Sequence, residues 1–152
     1  MTIQIAPYTV ERVDDVVEFE KALREEEDFW LWDIDDEYIK KVKNSFSDES
    51  FRDSISLLAY SDGKVVGRID SSMIKSHFDG ETRAYLDWIC VLKSFRHRGI
   101  AQKLLSELIK MLKERKIDSL VAITASNDEA QSFYRSVENS EMRDTGIWIE
   151  IK

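Results

Sequence analysis

The sequence predicts an α/β (α+β) fold, a central mixed and mostly antiparallel sheet with helices on both faces, and three observations predict it. Apolar runs broken by Asp-Gly turns fill the middle of the chain, between residues 55 and 91. Apolar residues at helical spacing flank that stretch, before residue 46 and from residue 100 onward. The resulting order is a strand, two helices, a three-strand meander, a helix, a strand, a helix and a closing strand, which buries one sheet between helices.

Residues 2–6 are short and alternating, as an edge strand is, and are followed by Pro7 and a helix led by Thr9. Over 10–26, Val13, Val16, Val17, Phe19, Glu20 and Leu23 form an imperfect apolar face. A second helix spans 36–46, where Tyr38, Ile39, Val42 and Phe46 recur at three and four residues. Between them lies Phe29-Trp30-Leu31-Trp32-Asp33, aromatic and acidic at once. Strands over 55–60 and 64–73 join through Ser61-Asp62-Gly63, because Asp-Gly readily adopts the positive φ angles of a tight hairpin. A looser turn at Asp79-Gly80 leads into a long strand over 82–91. Ile100, Leu104, Leu105, Leu108, Ile109 and Leu112 then form one helical stripe. Residues 120–124 read as a short buried strand, Asn127 as the cap of a helix through 137, and 146–151 as the closing strand. With no repeat, linker or low-complexity block, residues 1–152 are expected to form one domain.

Bulk composition narrows the function classes. A chain of 152 residues, 43% hydrophobic and 34% charged, can bury a core without staples. No run approaches the roughly 18 apolar residues of a membrane span, and the first ten residues lack the blocks of a signal peptide, so a cytoplasmic location is expected, with no membrane partner. One cysteine, Cys90, and two histidines, His77 and His97, give neither an internal disulfide nor a metal cluster, so no metal is expected. A formal charge of −8 disfavours nucleic acid and suits a cationic substrate. Acid concentrates in Glu25, Glu26, Glu27, Asp28, Asp33, Asp35, Asp36 and Glu37, whereas Arg96, Arg98 and Lys103 cluster elsewhere.

The basic cluster is the most informative part of the chain. Arg96-His97-Arg98-Gly99-Ile100-Ala101 lies where a strand meets a helix, and the first turn of a helix presents unpaired N–H groups and partial positive charge. Small residues at Gly99 and Ala101 let phosphate oxygens approach that backbone, and the arginines add attraction. Downstream stands Asn127-x-x-Ala130-x-x-Phe133-Tyr134. The two segments, in this order, resemble the cofactor segments of the GNAT superfamily, the GCN5-related N-acetyltransferases that use acetyl-CoA.

The resemblance implies a GNAT-like fold in which the strand over 82–91 splays from the next one, with the pantetheine arm of acetyl-CoA held by backbone groups near Ile89 and Val91. It implies that Arg96, His97, Arg98, Gly99, Ile100 and Ala101 receive the diphosphate, with Asn127, Ala130 and Tyr134 completing the cofactor site. Asp87 stands where several family members carry a carboxylate base, and Tyr134 where many carry the tyrosine that acts at the coenzyme A sulfur. An unperturbed phenol is about 1.5 pKa units too weak an acid to protonate the thiolate outright, so Tyr134 is expected to stabilise it by a hydrogen bond. Alternation along the strand puts Asp87, Ile89 and Val91 on one face and Trp88 and Cys90 on the other, so Cys90 should point away from the base. Glu138 and Asn139 replace the Gly-Phe pair usual in the family, and Asn tolerates the left-handed turn required there.

The expected activity is direct transfer of the acetyl group of acetyl-CoA to an amine. Trp30, Trp32 and Asp33, with Asp87, are the candidate acceptor contacts, because indole faces and carboxylates attract ammonium groups. A small cationic amine suits the acidic surface, and a protein amino group is the alternative acceptor. A non-catalytic acyl-CoA sensor or complex subunit is the rival reading. A homodimer, the identity of the acceptor and the acyl-chain preference are left open by the sequence.

Overall fold

The computed structural model describes residues 1–28 and 32–151. Five strands form one sheet in the order β1 (Gln4–Pro7), β2 (Ile55–Ser61), β3 (Lys64–Lys75), β4 (Thr82–Val91) and β5 (Ser119–Ala122). All neighbours are antiparallel except β4 and β5, which run parallel. A parallel pair needs a crossover, and the helix α3 (Ile100–Glu114) supplies it. The others are α1 (Val13–Glu26), α2 (Asp36–Ser45) and α4 (Asp128–Arg135).

Two successive residues of β3 reveal the layering, since neighbours on a strand point to opposite faces. Arg68 reaches Glu20 of α1. A Cβ at Gly67 would instead lie 3.4 Å from Ile100 of α3 and 3.2 Å from Val91. Glycine there lets the start of α3 settle onto the sheet beside the end of β4. Val16, Phe19 and Leu23 of α1 and Leu104, Leu105 and Leu108 of α3 bury the two faces around Leu58 and Ile69. No helix among the described residues is long and apolar enough to cross a membrane.

The turn chemistry follows the sequence closely. Asp62 and Gly63 adopt φ of 49° and 75° at the β2–β3 hairpin, as Asp-Gly should. Asp35 caps α2 by accepting from the Tyr38 N–H at 2.8 Å, and Asn127 caps α4 by accepting from the Ala130 N–H at 2.8 Å. Asn139 takes φ of 56°, the left-handed turn expected without the glycine.

Two expectations are corrected. The closing strand over 146–151 does not form: Ile147, Trp148 and Ile149 are 81%, 77% and 67% exposed and residues 141–151 pair with no strand. A β5 of only four residues is a short template for a sixth strand. The short strand expected over 120–124 forms at Ser119–Ala122 and is not buried as expected: Val121 is 45% exposed, and Ile123, just beyond the strand, 50%.

Candidate active site

The site begins where two ladders fail together. β4 pairs with β5 only from Arg83 opposite Ser119 to Leu86 opposite Ala122. On its other edge β4 changes register one residue later: Ser71 faces Leu86 and Asp70 faces Trp88, so Asp87 is the extra residue of a bulge. Beyond it, residues 88–91 have no partner on β5, which leaves the backbone edge carrying Ile89 and Val91 without a strand on that side.

That bulge overturns the alternation read from the sequence. Ile89 and Val91 return to the face of Leu86, opposite Ile69 and Gly67, whereas Trp88 and Cys90 stand opposite Asp70 and Arg68. The Asp87 carboxyl is within reach of Ser72 and feels Asp70, so it belongs with the second group and Cys90 is on its side of the sheet. Asp87 is exposed on one side, yet partial desolvation by its neighbours pushes its carboxyl above the ordinary range; the Ser72 hydroxyl opposes this and the Asp70 charge adds to it. Burial likewise raises the Cys90 thiol to about 11, which keeps it a thiol and a poor nucleophile near neutral pH.

β4 runs into a 3-10 turn at Lys93–Phe95 and then into a turn that opens α3. His97 and Gly99 have φ of 59° and 77°, and Gly99 is the N-cap. A glycine cap has no side chain to cover the first-turn amides, so the N–H groups of Ile100 and Ala101 remain available to an anion. His97 is 82% exposed and its Nε2 lies 3.6 Å from Glu129. Arg98 donates to the Ser94 carbonyl at 3.0 Å and stacks over the Phe95 ring. Arg96 is turned inward: its two Nη atoms meet the two carboxylate oxygens of Glu27 at 2.9 and 2.6 Å, and its Nε donates to the Val91 carbonyl at 3.1 Å.

Tyr134 sits on the last turn of α4, half-buried, with its ring edge-on to Phe133 at 5.2 Å. Burial, and then Tyr85, raise its hydroxyl above the ordinary phenol range, which suits a hydrogen-bond donor better than a proton donor. Asn127 and Ala130 are tied to each other by the α4 cap.

On the α1 face the expected acceptor residues divide. Trp32 packs edge-on to Trp88 at 5.6 Å and against Tyr38 at 5.9 Å, while Asp33 is exposed. Trp30 lies outside the described residues. Beneath Trp32 is a cluster the sequence reading missed. The Arg68 guanidinium stacks between Tyr8 and Trp88 at 5.2 and 5.3 Å, forks onto Asp70 at 2.7 and 2.9 Å and donates to Glu20 at 3.0 Å. Tyr38 donates to the same Glu20 oxygen at 2.7 Å, and Ser56 to Asp70 at 2.8 Å. Glu20 is 2% exposed, and burial raises its carboxyl against the pull of Tyr38 and Arg68. The available signal was Glu20 itself, a carboxylate on an otherwise apolar helix face. No group of His, Cys, Asp and Glu among the described residues is arranged to hold a metal.

A family model described as the acetyltransferase (GNAT) family matches residues 4–137. No curated protein matches the sequence. Among solved structures, an aminoglycoside acetyltransferase from an uncultured soil metagenomic sample, in complex with sisomicin, superposes with a TM-score of 0.77 at 16% identity, covering 99% of this chain and 97% of its own. A ribosomal-protein-alanine N-acetyltransferase from Brucella melitensis gives 0.74 at 18%, covering 99% and 100%. A predicted acetyltransferase from Clostridium acetobutylicum with acetyl-CoA gives 0.71 at 17%, covering 99% and 96%.

Proposed function

Because the chain belongs to the acetyltransferase (GNAT) family and is by that membership an acetyl-CoA-dependent N-acetyltransferase, we propose that its acceptor is a small cationic amine and that Asp87 and Tyr134 serve the transfer. The observation that carries this reading is the bulge at Asp87, which lies where β4 loses its β5 partner, on the strand that runs on to the Gly99-capped start of α3.

In this reading the main-chain amides from His97 to Ala101 receive the diphosphate, with Arg96, Arg98 and Asn127 around it, and the pantetheine arm runs along Ile89 and Val91 toward Ala130 and Tyr134. An amine with a pKa near 10.4 arrives protonated and must lose a proton before it can attack. Asp87, lifted by partial desolvation, accepts that proton directly or through one water. The nitrogen then forms a bond to the acetyl carbon and the carbon–sulfur bond breaks; the thiolate leaves against the Tyr134 hydroxyl, and the surplus proton of the new amide nitrogen passes through water to the sulfur, giving the amide and the coenzyme A thiol. Trp32 and Asp33, with Trp30, would hold the cationic end of the acceptor by ring faces and charge. Support for a small amine comes from the net charge of −8 and from the sisomicin complex of the similar aminoglycoside acetyltransferase.

The test is steady-state release of coenzyme A across a panel of aminoglycosides, polyamines and an N-terminal alanine peptide. Asp87→Asn and Tyr134→Phe should each lower kcat by roughly 10²–10³ with coenzyme A affinity retained, as expected for lost proton transfer and thiolate stabilisation. Turnover with the peptide alone would redirect the reading to a protein amino group. Full activity of Asp87→Asn would remove that residue from the mechanism.

A further inference from the structure

Among the described residues, the charged side chains gathered at the turn between β4 and α3 do not contribute alike. Arg96 is enclosed by its partners: Glu27 forks onto it at 2.9 and 2.6 Å, Glu129 of α4 lies 3.7 Å away, and its Nε is spent on the Val91 carbonyl at 3.1 Å. The neighbouring carboxylate of α1, Glu26, accepts from the Ser94 N–H at 3.0 Å and from the Ser94 Oγ at 2.5 Å. The last turn of α1 therefore grips the turn at two points, Ser94 and Arg96, from 68 and 69 residues away in sequence. Arg98 differs. Its contacts are the Ser94 carbonyl, the Phe95 ring and the Met1 sulfur at 3.4 Å, and no carboxylate among the described residues pairs with it.

We propose that Arg96 is a positioning residue, a strut that fixes the diphosphate turn to α1 through Glu27, and that the guanidinium charge felt by the bound diphosphate comes from Arg98. The inference rests on the reading of this turn as the diphosphate site of acetyl-CoA. A fork-to-fork ion pair is a short dipole whose field fades within a few ångströms, whereas an uncompensated guanidinium acts over about a Debye length, roughly 8 Å in physiological salt. Planar double bonding to a carboxylate is also the task a guanidinium performs and an ammonium does not. Because Arg24 of α1 donates to the Trp32 carbonyl, the strut sets the cofactor turn and the acceptor-side segment in one frame.

The two roles separate in calorimetric titrations with coenzyme A at several salt concentrations. Arg98→Gln should weaken binding about tenfold and flatten the salt dependence, as loss of one charge-assisted contact does. Arg96→Gln should also weaken it, since Glu27 and Glu129 are left facing the diphosphate without their counter-charge. The deciding variant is the double substitution Glu27→Gln with Arg96→Gln, which removes the pair as a neutral unit. A strut predicts that the double variant stays weaker than wild type, because the support is lost, yet binds more tightly than Arg96→Gln, because the Glu27 charge is gone, and that it keeps the wild-type salt dependence. A double variant as weak as Arg96→Gln, with a flattened salt dependence, overturns the proposal and makes Arg96 a direct phosphate ligand. If the glutamine pair does not fold, Glu27→Gln with Arg96→Met, which keeps the apolar stem, is read in its place. Absence of any heat with the wild-type protein would instead sink the reading of the turn itself.

Discussion

The company Asp87 keeps depends on a single inserted residue. Alternation from Leu86 already puts Asp87 on the side of Asp70 and Ser72; the bulge brings Trp88 and Cys90 to that side as well and sends Ile89 and Val91 to the other. Partial desolvation raises its carboxyl first, Ser72 lowers it by donating to the charged form, and Asp70 raises it by like charge. A base works deprotonated, so kcat/KM should climb with pH through an acidic limb lying above the ordinary carboxylate range. Asp70→Asn removes a negative neighbour and should move that limb to lower pH. Ser72→Ala removes a donor to the carboxylate and should move it to higher pH. The two shifts have opposite signs for residues two apart on one strand, and a carboxyl NMR titration of Asp87 can follow both without an acceptor. An Asp87 titration indifferent to both substitutions would mean that the bulge does not couple it to β3. Since Arg68 and Ser56 hold Asp70, the like charge is itself fixed in place.

At the scale of elements, the start of α3 depends on a conformation that side chains resist. Gly99 has φ of +77° with nothing within 4 Å of a Cβ built on it, and Gly63 in the β2–β3 hairpin has φ of +75° with the same open surroundings. Alanine at either position meets only backbone strain, about 1–2 kcal/mol. Both substitutions should lower the unfolding midpoint comparably, yet only Gly99→Ala should weaken coenzyme A, because only there do displaced amides face the ligand. Equal coenzyme A affinities for the two variants would separate the Gly99 turn from cofactor binding. The comparison also shows what could be read in advance. The bounds of β4, the Asn127 cap and the Asp62-Gly63 turn follow from local spacing, and they appear as expected. The bulge did not follow, because Leu86-Asp87-Trp88-Ile89 is equally compatible with unbroken alternation. Nor did the partner of Arg96, since no local rule joins residues 69 apart in sequence.

Across the whole molecule, apolar surface is distributed unevenly between the layered core and the chain after α4. Leu104 and Ile69 are 0% exposed, whereas Ile147, Trp148, Ile149 and Ile151 are 81%, 77%, 67% and 90% exposed. The sequence marks all of them as strand or core material, and only tertiary partners distinguish the two groups. β5 is the edge of the sheet nearest that segment, as the contact of Gly146 with Ile123 indicates, but the two do not pair. The energetic consequence is a sharp asymmetry. Leu104→Ala should cost about 2–5 kcal/mol in urea unfolding, the range for a buried leucine. Ile147→Ser, Trp148→Ser and Ile149→Ser should each change stability by no more than about 0.5 kcal/mol, as at other surface positions. Losses of several kcal/mol at alternate positions of 147–149 would instead mean that the segment lies against β5 in solution as the sixth strand. The same measurement would then show the urea dependence rising, because a longer sheet exposes more surface when it unfolds.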